Sequence, residues 1–427
     1  MSTSSSIARD VSLTALVAGL ISALVNYSGP FLIVLEATRA AGLDGAQTAS
    51  WVWAVSIGNG VCSLALSLFT RIPIIVAWST PGAALLIASL GGFSFSDAVG
   101  AFLVASIAAA VVGYTGWFGW LLDRMPQPLL QALLAGILLP FVVSAGAAFE
   151  AGPILAGSVI VTYFVIKRFF ERYAVLAALL VGITVAAITD SFKEVTVGPA
   201  VTSPVFTAPT FDLTALVSIG LPLFIVTMAS QNAPGLALLR SEEYAPNDRF
   251  LIGSISSVSA LLAPFGNHGI NLAAITAAIA VGPESHQDPR RRYIAGVSAG
   301  VTYVLVGIFG GFLVAGFQSI PTETITSLAA VALLSSTLTA LKGAMSSNAR
   351  TGVAALTTLA ITMSGIVLVS VGSAFWGLLA GMAVYAVLGI PPVRQRHEAS
   401  DRSPTPSMCS DRSTEAVDSR KNLDPWP

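Results

Sequence analysis

The sequence predicts an all-α integral membrane protein with fourteen membrane-spanning segments, arranged as two inverted repeats of seven. Hydrophobic residues make up 54% of the 427 positions and charged residues only 10%, against about 25% charged residues in a typical soluble domain. The charges gather in short clusters between apolar runs of roughly 20 residues, which is the length that spans a bilayer. Breaks of similar composition also recur in the two halves of the chain.

The apolar runs define the limits of the predicted spans. These are 11–35, 46–69, 73–91, 97–121, 127–148, 152–168, 174–190, 213–238, 247–263, 267–282, 293–317, 323–341, 350–369 and 371–390. With the N-terminus in the cytoplasm, every Lys and Arg before residue 391 falls on the cytoplasmic side except Arg39 and Lys193. Because cytoplasmic loops are enriched in Lys and Arg, this distribution predicts that both termini are cytoplasmic.

The spans divide the chain into two halves and two polar segments. Residues 1–190 form the first predicted seven-span repeat, and residues 213–390 form the second. The polar stretch 191–212 is predicted to be an extracytoplasmic connector, and the Pro-, Ser- and charge-rich stretch 391–427 a disordered cytoplasmic tail. Since seven is odd, the second repeat must enter the membrane upside down, as in many secondary transporters.

Span three is predicted to be a short strand followed by half a helix. Residues 72–79 are rich in β-branched side chains and bounded by proline, which favours an extended segment. Ser79 or Thr80 then suits an N-cap, and Pro81 suits the first helical turn. Only about ten residues of helix follow, or roughly 15 Å, so the N-terminus of this helix is expected near the bilayer midplane.

Span ten is predicted to have a similar break. A polar, Gly-rich segment, residues 264–271, leads into a short helix that ends at Gly282. Two half-helices that meet at the midplane would direct unpaired N–H groups and positive dipole ends at one place, which favours an anion. The alternative is that both segments are kinked helices packed through small residues.

Polar residues inside membrane spans are costly and are usually functional. His268 is the only histidine within the predicted spans, and it could hydrogen-bond a carboxylate and carry a proton near neutral pH. Asn271, together with Asn26 at a break in span one and Gln231 and Asn232 at a break in span eight, is a candidate for the polar lining of a site. Each of these could equally satisfy backbone groups that a neighbouring Pro or Gly leaves free.

Several function classes are not indicated. The net charge is −1 and no basic stripe is present, so a nucleic-acid partner is not expected. The two cysteines, Cys62 and Cys409, are too few for a metal site. The chain has no Gly-rich nucleotide loop, no HExxH pair and no Ser/His/Asp arrangement, so neither an enzyme nor a cofactor is predicted.

Three segments resemble the benzoate–proton symporter family of bacterial inner membranes: AWSTPGAAL at 77–85, GYTGWF at 113–118 and FGNHGINLAAITA at 265–277. The resemblance covers most of residues 10–390. It implies the fold shared by the uracil/xanthine (nucleobase–ascorbate) and the sulfate/bicarbonate transporters. In that fold a core of spans one to four and eight to eleven moves against a gate formed by the other six spans. Related folds often form homodimers.

The resemblance also implies a place for the substrate, between the strands and half-helices of spans three and ten and beside spans one and eight. The predicted substrate-binding residues are Asn26, Tyr27, Trp78, Ser79, Thr80, Gly82, Gln231, Asn232, His268, Gly269 and Asn271. Uracil-type transporters carry acidic residues in spans eight and ten, where this chain has Gln231 and Ile270. A site without fixed carboxylates suits an anion better than a neutral base.

The implied function is import of benzoate or a related aromatic carboxylate with a proton, by alternating access, with His268 as the proton-coupling residue. The expected partners are this small acid, protons and the lipid bilayer. Two alternatives share the fold. One is a proton symporter for a nucleobase or another neutral solute, and the other is an organic-anion exchanger.

Overall fold

The computed structural model describes residues 9–124, 126–170, 173–194, 201–273, 276–345, 349–368 and 371–389. The described chain is mainly helical, with one two-stranded sheet at its centre. The predicted tail, residues 391–427, lies outside the described residues.

The first half contains nine helices and one strand among its described residues. They are α1 (Leu13–Ser28), α2 (Pro30–Ala40), α3 (Gly45–Thr70), β1 (Val76–Trp78), α4 (Thr80–Ser89), α5 (Phe95–Thr115), α6 (Trp117–Arg124), α7 (Gln127–Ala151), α8 (Pro153–Phe169) and α9 (Ala174–Ile188). The described part of the second half contains α10 (Leu213–Ser241), α11 (Asp248–Leu262), β2 (Ile270–Leu272), α12 (Ala277–Val281), α13 (Tyr293–Ile308), α14 (Gly310–Ser319), α15 (Thr322–Met345), α16 (Ala349–Met363) and α17 (Ser373–Gly389).

Six helices among the described residues are long and apolar enough to cross a bilayer. They are Leu13–Ala40, which is α1 and α2 together, and α3, α5, α7, α10 and α15. Residues 289–308 and 310–319 make a seventh if this pair, bent by 74°, forms one span. Other predicted spans coincide with shorter apolar helices such as α4, α9 and α17. The count of fourteen spans therefore stays a prediction.

Helix α3 begins where local side-chain chemistry requires it. Asp44 accepts the Gln47 N–H at 2.7 Å, and the Gln47 side chain accepts the Asp44 N–H at 3.3 Å. This reciprocal pair is a capping box, which satisfies donors that the first helical turn leaves unpaired. At its other end α3 stops at Arg71, whose φ of 58° turns the chain toward β1.

The predicted break in span one is confined to a single residue. Helix α1 ends at Ser28 and α2 begins at Pro30, with Gly29 between them. A Cβ on Gly29 would lie 2.5 Å from the Cβ of Ala332 on α15. Gly29 therefore allows α15 to approach the break closely.

Span eight was expected to be interrupted at Gln231–Gly235, and this expectation was wrong. Helix α10 is continuous, with two π-helical stretches at Leu216–Gly220 and Met228–Asn232. Pro234 falls in the first turn of the α-helical segment that follows. The wider π turn comes directly before the proline. The helix therefore changes from π to α geometry at this point and is not interrupted. Such turns occur frequently at functional sites.

Helices pack in pairs around the sheet. Helix α3 lies along α13, and α5 lies along α11. A Cβ on Gly300 of α13 would lie 2.8 Å from the Gly60 carbonyl oxygen of α3, so the two backbones are in direct contact. Close backbone contact through small residues is typical of membrane helices. In a second group, α7 packs on α15 and α16, α8 on α9, and α16 on α17.

The described residues of the predicted connector, 191–194 and 201–212, run across helix ends without forming a long helix. The Thr202 N–H donates to Ile308 O at 2.9 Å, the Thr207 N–H to Pro264 O at 2.8 Å and the Thr210 N–H to Ser96 O at 3.0 Å. These bonds attach the connector to the helix group that surrounds the sheet.

Candidate functional site

The predicted strands of spans three and ten pair with each other at the centre of the molecule. Strands β1 and β2 are antiparallel, with Val76 opposite Leu272, Ala77 opposite Asn271 and Trp78 opposite Ile270. All these residues are buried. The sheet therefore brings together two segments from opposite halves of the chain.

Side chains from neighbouring helices satisfy strand groups that the sheet leaves unpaired. Ser63 accepts the Val76 N–H at 2.9 Å, and the Ser67 hydroxyl bonds both the N–H and the carbonyl of Ile74, at 3.0 and 3.1 Å. Asn232 accepts the Leu272 N–H at 3.0 Å. Non-helical backbone at membrane depth requires such partners inside the protein, and α3 and α10 supply them here.

Ser79 joins β1 to α4 and is the N-cap that the sequence indicates. Its hydroxyl accepts the Gly82 N–H at 3.1 Å and a hydrogen bond from the Thr227 hydroxyl at 3.1 Å. Its own N–H donates to Gly269 O at 2.9 Å. Helix α4 therefore starts beside the sheet, and its first residue, Thr80, is half-buried.

The segment Gly266–Gly269 makes the turn into β2. Gly266 and Gly269 have φ of 101° and 137°, a conformation that favours glycine. The Asn267 side chain accepts the Gly269 N–H at 2.9 Å. A Cβ on Gly266 would lie 2.9 Å from Trp51, so the turn passes directly against α3.

His268 is fully buried, and both of its ring nitrogens have protein partners. The Trp51 indole N–H donates to Nδ1 at 3.0 Å, and Nε2 lies 3.1 Å from the Ser79 carbonyl oxygen. Because the indole nitrogen can only donate and the carbonyl can only accept, the ring must carry its hydrogen on Nε2. The geometry therefore selects one neutral tautomer of His268.

Asn271 and Asn232 hold backbone in place. With its oxygen turned toward Ser79, the Asn271 side chain accepts the Ser79 N–H at 3.2 Å and donates to Leu272 O at 3.0 Å. Asn232 bonds β2, as described above. The predicted alternative, that these amides satisfy irregular backbone, agrees with the geometry of both residues.

Tyr27 and Trp78 belong to a buried aromatic cluster at the break in span one. The Tyr27 ring lies 5.2 Å from the Trp78 ring, 5.4 Å from Phe31 and 5.7 Å from Tyr303. The Tyr27 hydroxyl donates to Ser56 at 2.6 Å. Edge-to-face and tilted contacts of this kind stabilise aromatic clusters.

Several buried polar atoms around this cluster have no hydrogen-bond partner among the described residues. They are the Trp78 indole nitrogen and both amide atoms of Asn59, a residue one helical turn from Ser56 on α3. Leaving a buried polar group unpaired costs about 1–3 kcal/mol. Most of these atoms are hydrogen-bond donors.

Gln231 is half-buried on the π turn Met228–Asn232, which packs against β2. Gly82 lies in the first turn of α4, where a Cβ would meet Leu223 of α10 at 2.6 Å. The sheet and its neighbours thus gather the predicted residues of spans three, eight and ten. Asn26 and Tyr27 of span one join them through the contact between Tyr27 and Trp78.

A small cavity of about 20 Å³ lies beside His268. Hydroxyl-bearing residues form part of its wall: Ser106, Thr227, Ser256 and Ser259. This volume suits one water molecule, whereas pockets for aromatic ligands measure about 300 Å³ or more. The cavity is therefore too small for the aromatic acid that the sequence resemblance implies.

The helix of span ten is shorter than the sequence predicts. Strand β2 occupies Ile270–Leu272, and α12 begins only at Ala277 and has five residues. Among the described residues, no group of three His, Cys, Asp or Glu side chains could hold a metal ion.

Sequence reasoning missed Trp51, Thr227 and Tyr303. Trp51 is 217 positions from His268, and a tryptophan inside a hydrophobic helix usually indicates packing. One signal was available in α3, where Ser56, Asn59, Ser63 and Ser67 recur at helical spacing. This polar face points toward buried polar partners.

Comparison with known proteins assigns the family. The family described as benzoate membrane transport protein matches residues 9–387. The chain belongs to this family. It is 38% identical over 382 residues to the inner membrane protein YdcO of Escherichia coli K12, covering 90% of this chain and 97% of that protein. It is 35% identical over 380 residues to the benzoate membrane transport protein of Acinetobacter baylyi, covering 89% and 96%.

Solved structures show the same fold at low identity. The transmembrane domain of the cyanobacterial bicarbonate transporter BicA matches with a TM-score of 0.57 and 14% identity, over 87% of this chain and 98% of that one. SLC26A9 matches with a TM-score of 0.60 and 12% identity over 87% and 65%. Murine Slc26a9, an anion transporter in the inward-facing state, matches with 0.61 and 11% over 89% and 68%.

These findings make the chain a multi-pass membrane transporter of the benzoate transport family, and not an enzyme. The fold is that of the bicarbonate and SLC26 transporters. Of the two groups that the sequence resemblance implied, the anion transporters are therefore the one that these structures support.

Proposed function

We propose that this protein imports benzoate or a related aromatic carboxylate together with a proton. The observation that carries the proposal is the buried start of α4 beside β2, in a chain whose family is named for benzoate transport. A helix N-terminus offers N–H groups and a positive dipole end to an anion.

In this proposal the carboxylate binds at the start of α4. The Ser79 side chain and carbonyl already bind the N–H groups of Gly82 and Ala83, which leaves the half-buried Thr80 as the residue that can meet a ligand. Helix α12, with five residues, offers a much weaker dipole than α4, so the two half-helices do not contribute equally. Trp78 and Tyr27 would then flank the aromatic ring.

In this proposal His268 carries the proton. Benzoate is ionised at neutral pH, and its entry against an inside-negative potential costs roughly 2.3 kcal/mol per 100 mV. One accompanying proton removes this cost. Protonation of Nδ1 requires the Trp51 indole to withdraw, because both groups would then be donors. The proposed cycle therefore couples proton binding to a local movement of α3 away from His268.

Transport by this route requires the two helix groups to move against each other. We propose fourteen spans in two inverted repeats, with a core that contains the sheet and a gate that contains α7–α9 and α15–α17. The packing supports this arrangement, because α3 on α13 and α11 on α5 are the pairs that an inverted repeat would relate. Cytoplasmic termini and a homodimer complete the proposal.

The test is uptake of labelled benzoate into proteoliposomes, with and without an inward proton gradient. Uptake should rise with the gradient and collapse when a protonophore is added. His268→Gln should abolish the effect of the gradient and leave the protein folded. Unchanged gradient dependence in this variant would remove His268 from the mechanism.

Anion exchange is the second candidate, and the fold shared with an SLC26 anion transporter favours it. An exchanger should take up labelled benzoate against internal unlabelled benzoate without a proton gradient. A nucleobase symporter is the third possibility, and competition of uracil or xanthine with benzoate uptake distinguishes it from the other two. Benzoate uptake that uracil inhibits at equal concentration would favour the nucleobase function.

A further inference from the structure

A cluster of three arginines and two aspartates lies at the end of the core where α1 begins, α3 ends and α13 begins. Arg71, Arg290 and Arg291 line a cleft of about 490 Å³ with Asp10 and Asp288. The proposed topology assigns this end to the cytoplasm. Because span-forming helices end here, the cleft lies at the depth of the lipid headgroups.

The aspartates compensate Arg290 and Arg291 only in part, whereas Arg71 is well partnered. Arg71 lies 3.2 Å from Asp10, and its guanidinium also bonds the Tyr293 hydroxyl and stacks on that ring at 4.5 Å. Arg291 stands 3.9 Å from Asp10 and 3.8 Å from Asp288, at the limit of ion-pair distance. Arg290 is exposed, and its guanidinium has no ion-pair partner among the described residues.

Neighbouring Arg292 shows what a structural arginine looks like in this loop. It is buried, and it donates to Val281 O at 2.7 Å and His286 O at 2.8 Å and pairs with Glu242 at 3.3 Å. Arg290 and Arg291 are not held in this way, because the Arg290 guanidinium has no ion-pair partner among the described residues and Arg291 only approaches Asp10 and Asp288 at 3.9 and 3.8 Å. A purely structural role therefore explains Arg292 and does not explain the other two.

An apolar strip leads from the cleft along α1. Its side chains recur on one face of the helix and are 40% to 78% exposed: Leu13, Val17, Leu20 and Leu24. Phe69, two residues before Arg71, is 82% exposed. Apolar side chains at this depth face the hydrocarbon of the bilayer. The arginine cleft therefore lies next to an apolar surface along which acyl chains can pack.

We propose that this cleft binds the phosphate of an anionic phospholipid, with the acyl chains lying along α1. Arginine forks match phosphate oxygens with paired, charge-assisted hydrogen bonds. Basic pockets between helices on the cytoplasmic side are known to take anionic lipid headgroups. A free phosphate ion could use the same arginines but would gain nothing from the apolar strip.

The test is native mass spectrometry of the purified full chain, titrated with phosphatidylglycerol, phosphatidylcholine or inorganic phosphate. The wild type should retain phosphatidylglycerol in preference to phosphatidylcholine. The double variant Arg290→Gln/Arg291→Gln should bind phosphatidylglycerol about tenfold more weakly, because it loses two guanidinium groups that can make paired hydrogen bonds to phosphate. Arg39→Gln, on the opposite face, should bind like the wild type.

Two further results would overturn the proposal. Equal retention of phosphatidylglycerol and phosphatidylcholine would show that the cleft does not recognise anionic headgroups. Displacement of phosphatidylglycerol by millimolar inorganic phosphate would assign the site to a soluble ion. A second variant, Arg290→Lys/Arg291→Lys, keeps the positive charge of the loop and with it the membrane orientation. It should still bind less phosphatidylglycerol, because lysine lacks the fork.

Discussion

Replacing Ser79 with alanine removes one hydroxyl that serves two segments at the centre of the sheet. The Ser79 hydroxyl caps α4 through the Gly82 N–H and accepts a hydrogen bond from Thr227. Loss of an N-cap costs about 1 kcal/mol. The buried Thr227 hydroxyl would also lose its acceptor, which costs about 1–3 kcal/mol. Together these predict a destabilisation of about 2–4 kcal/mol.

The chain offers a matched control on the same helix. Ser89, at the other end of α4, is also buried, but its hydroxyl bonds only Leu85 O of its own helix, at 3.0 Å. That carbonyl keeps its helical hydrogen bond when the hydroxyl is removed. Ser89→Ala should therefore change stability by less than about 1 kcal/mol.

Unfolding of the purified variants in mixed micelles would give the two free energies, and labelled benzoate uptake would give kcat/KM. Ser79→Ala should lose at least about tenfold in kcat/KM beyond any loss in Ser89→Ala, because the start of α4 is the proposed carboxylate site. Equal stability and equal kcat/KM in the two variants would refute the assignment of Ser79 as the cap that holds this site.

Three other predictions follow from the packing and the proposed site. Trp51→Phe leaves the His268 Nδ1 without its donor, so the pH profile of benzoate uptake should shift; a profile that matches the wild type would contradict a coupling role for the indole. Gly300→Val places a side chain 2.7 Å from the Leu64 backbone nitrogen, so monodisperse protein should be lost, while Gly316→Ala, with open space around its Cβ, should purify normally. Gln231→Glu puts a carboxylate on the π turn beside β2, so the KM for benzoate should rise at least about tenfold at neutral pH and less in acid; an unchanged KM would place the substrate elsewhere.

The sequence predicted those parts of the site that depend on local chemistry. The N-cap at Ser79, the proline in the first turn of α4 and the β-branched lead-in all act on neighbouring residues, and α4 starts where they indicate. The glycines at 266 and 269 likewise mark a turn, and both adopt positive φ. Strand β1 lies in the proline-bounded segment that predicted extended chain, whereas the strand in span ten was implied only by the family resemblance.

The parts that sequence reasoning missed depend on contacts between distant segments. The bond between Trp51 and His268 joins two segments of the group around the sheet that lie 217 positions apart in the chain, and neither residue type by itself predicts the other. The π turn Met228–Asn232 of α10 ends at the residue whose side chain bonds β2, two residues before Pro234. A proline suggests a break, but the register of the hydrogen bond to β2 is visible only in three dimensions.

Ser79 places the proposed proton site and the proposed carboxylate site one residue apart. Its carbonyl accepts the His268 Nε2 hydrogen, and its hydroxyl starts the helix whose first residue, Thr80, faces the substrate in the proposal. A change in the protonation of His268 changes the hydrogen bonding of the ring that donates to the Ser79 carbonyl. Because the peptide unit is planar, this carbonyl cannot move without moving Thr80. Proton binding can therefore affect the anion site through a single peptide unit, without a long pathway. The same geometry explains why a single histidine could suffice for coupling in a site that lacks the acidic residues of uracil-type transporters.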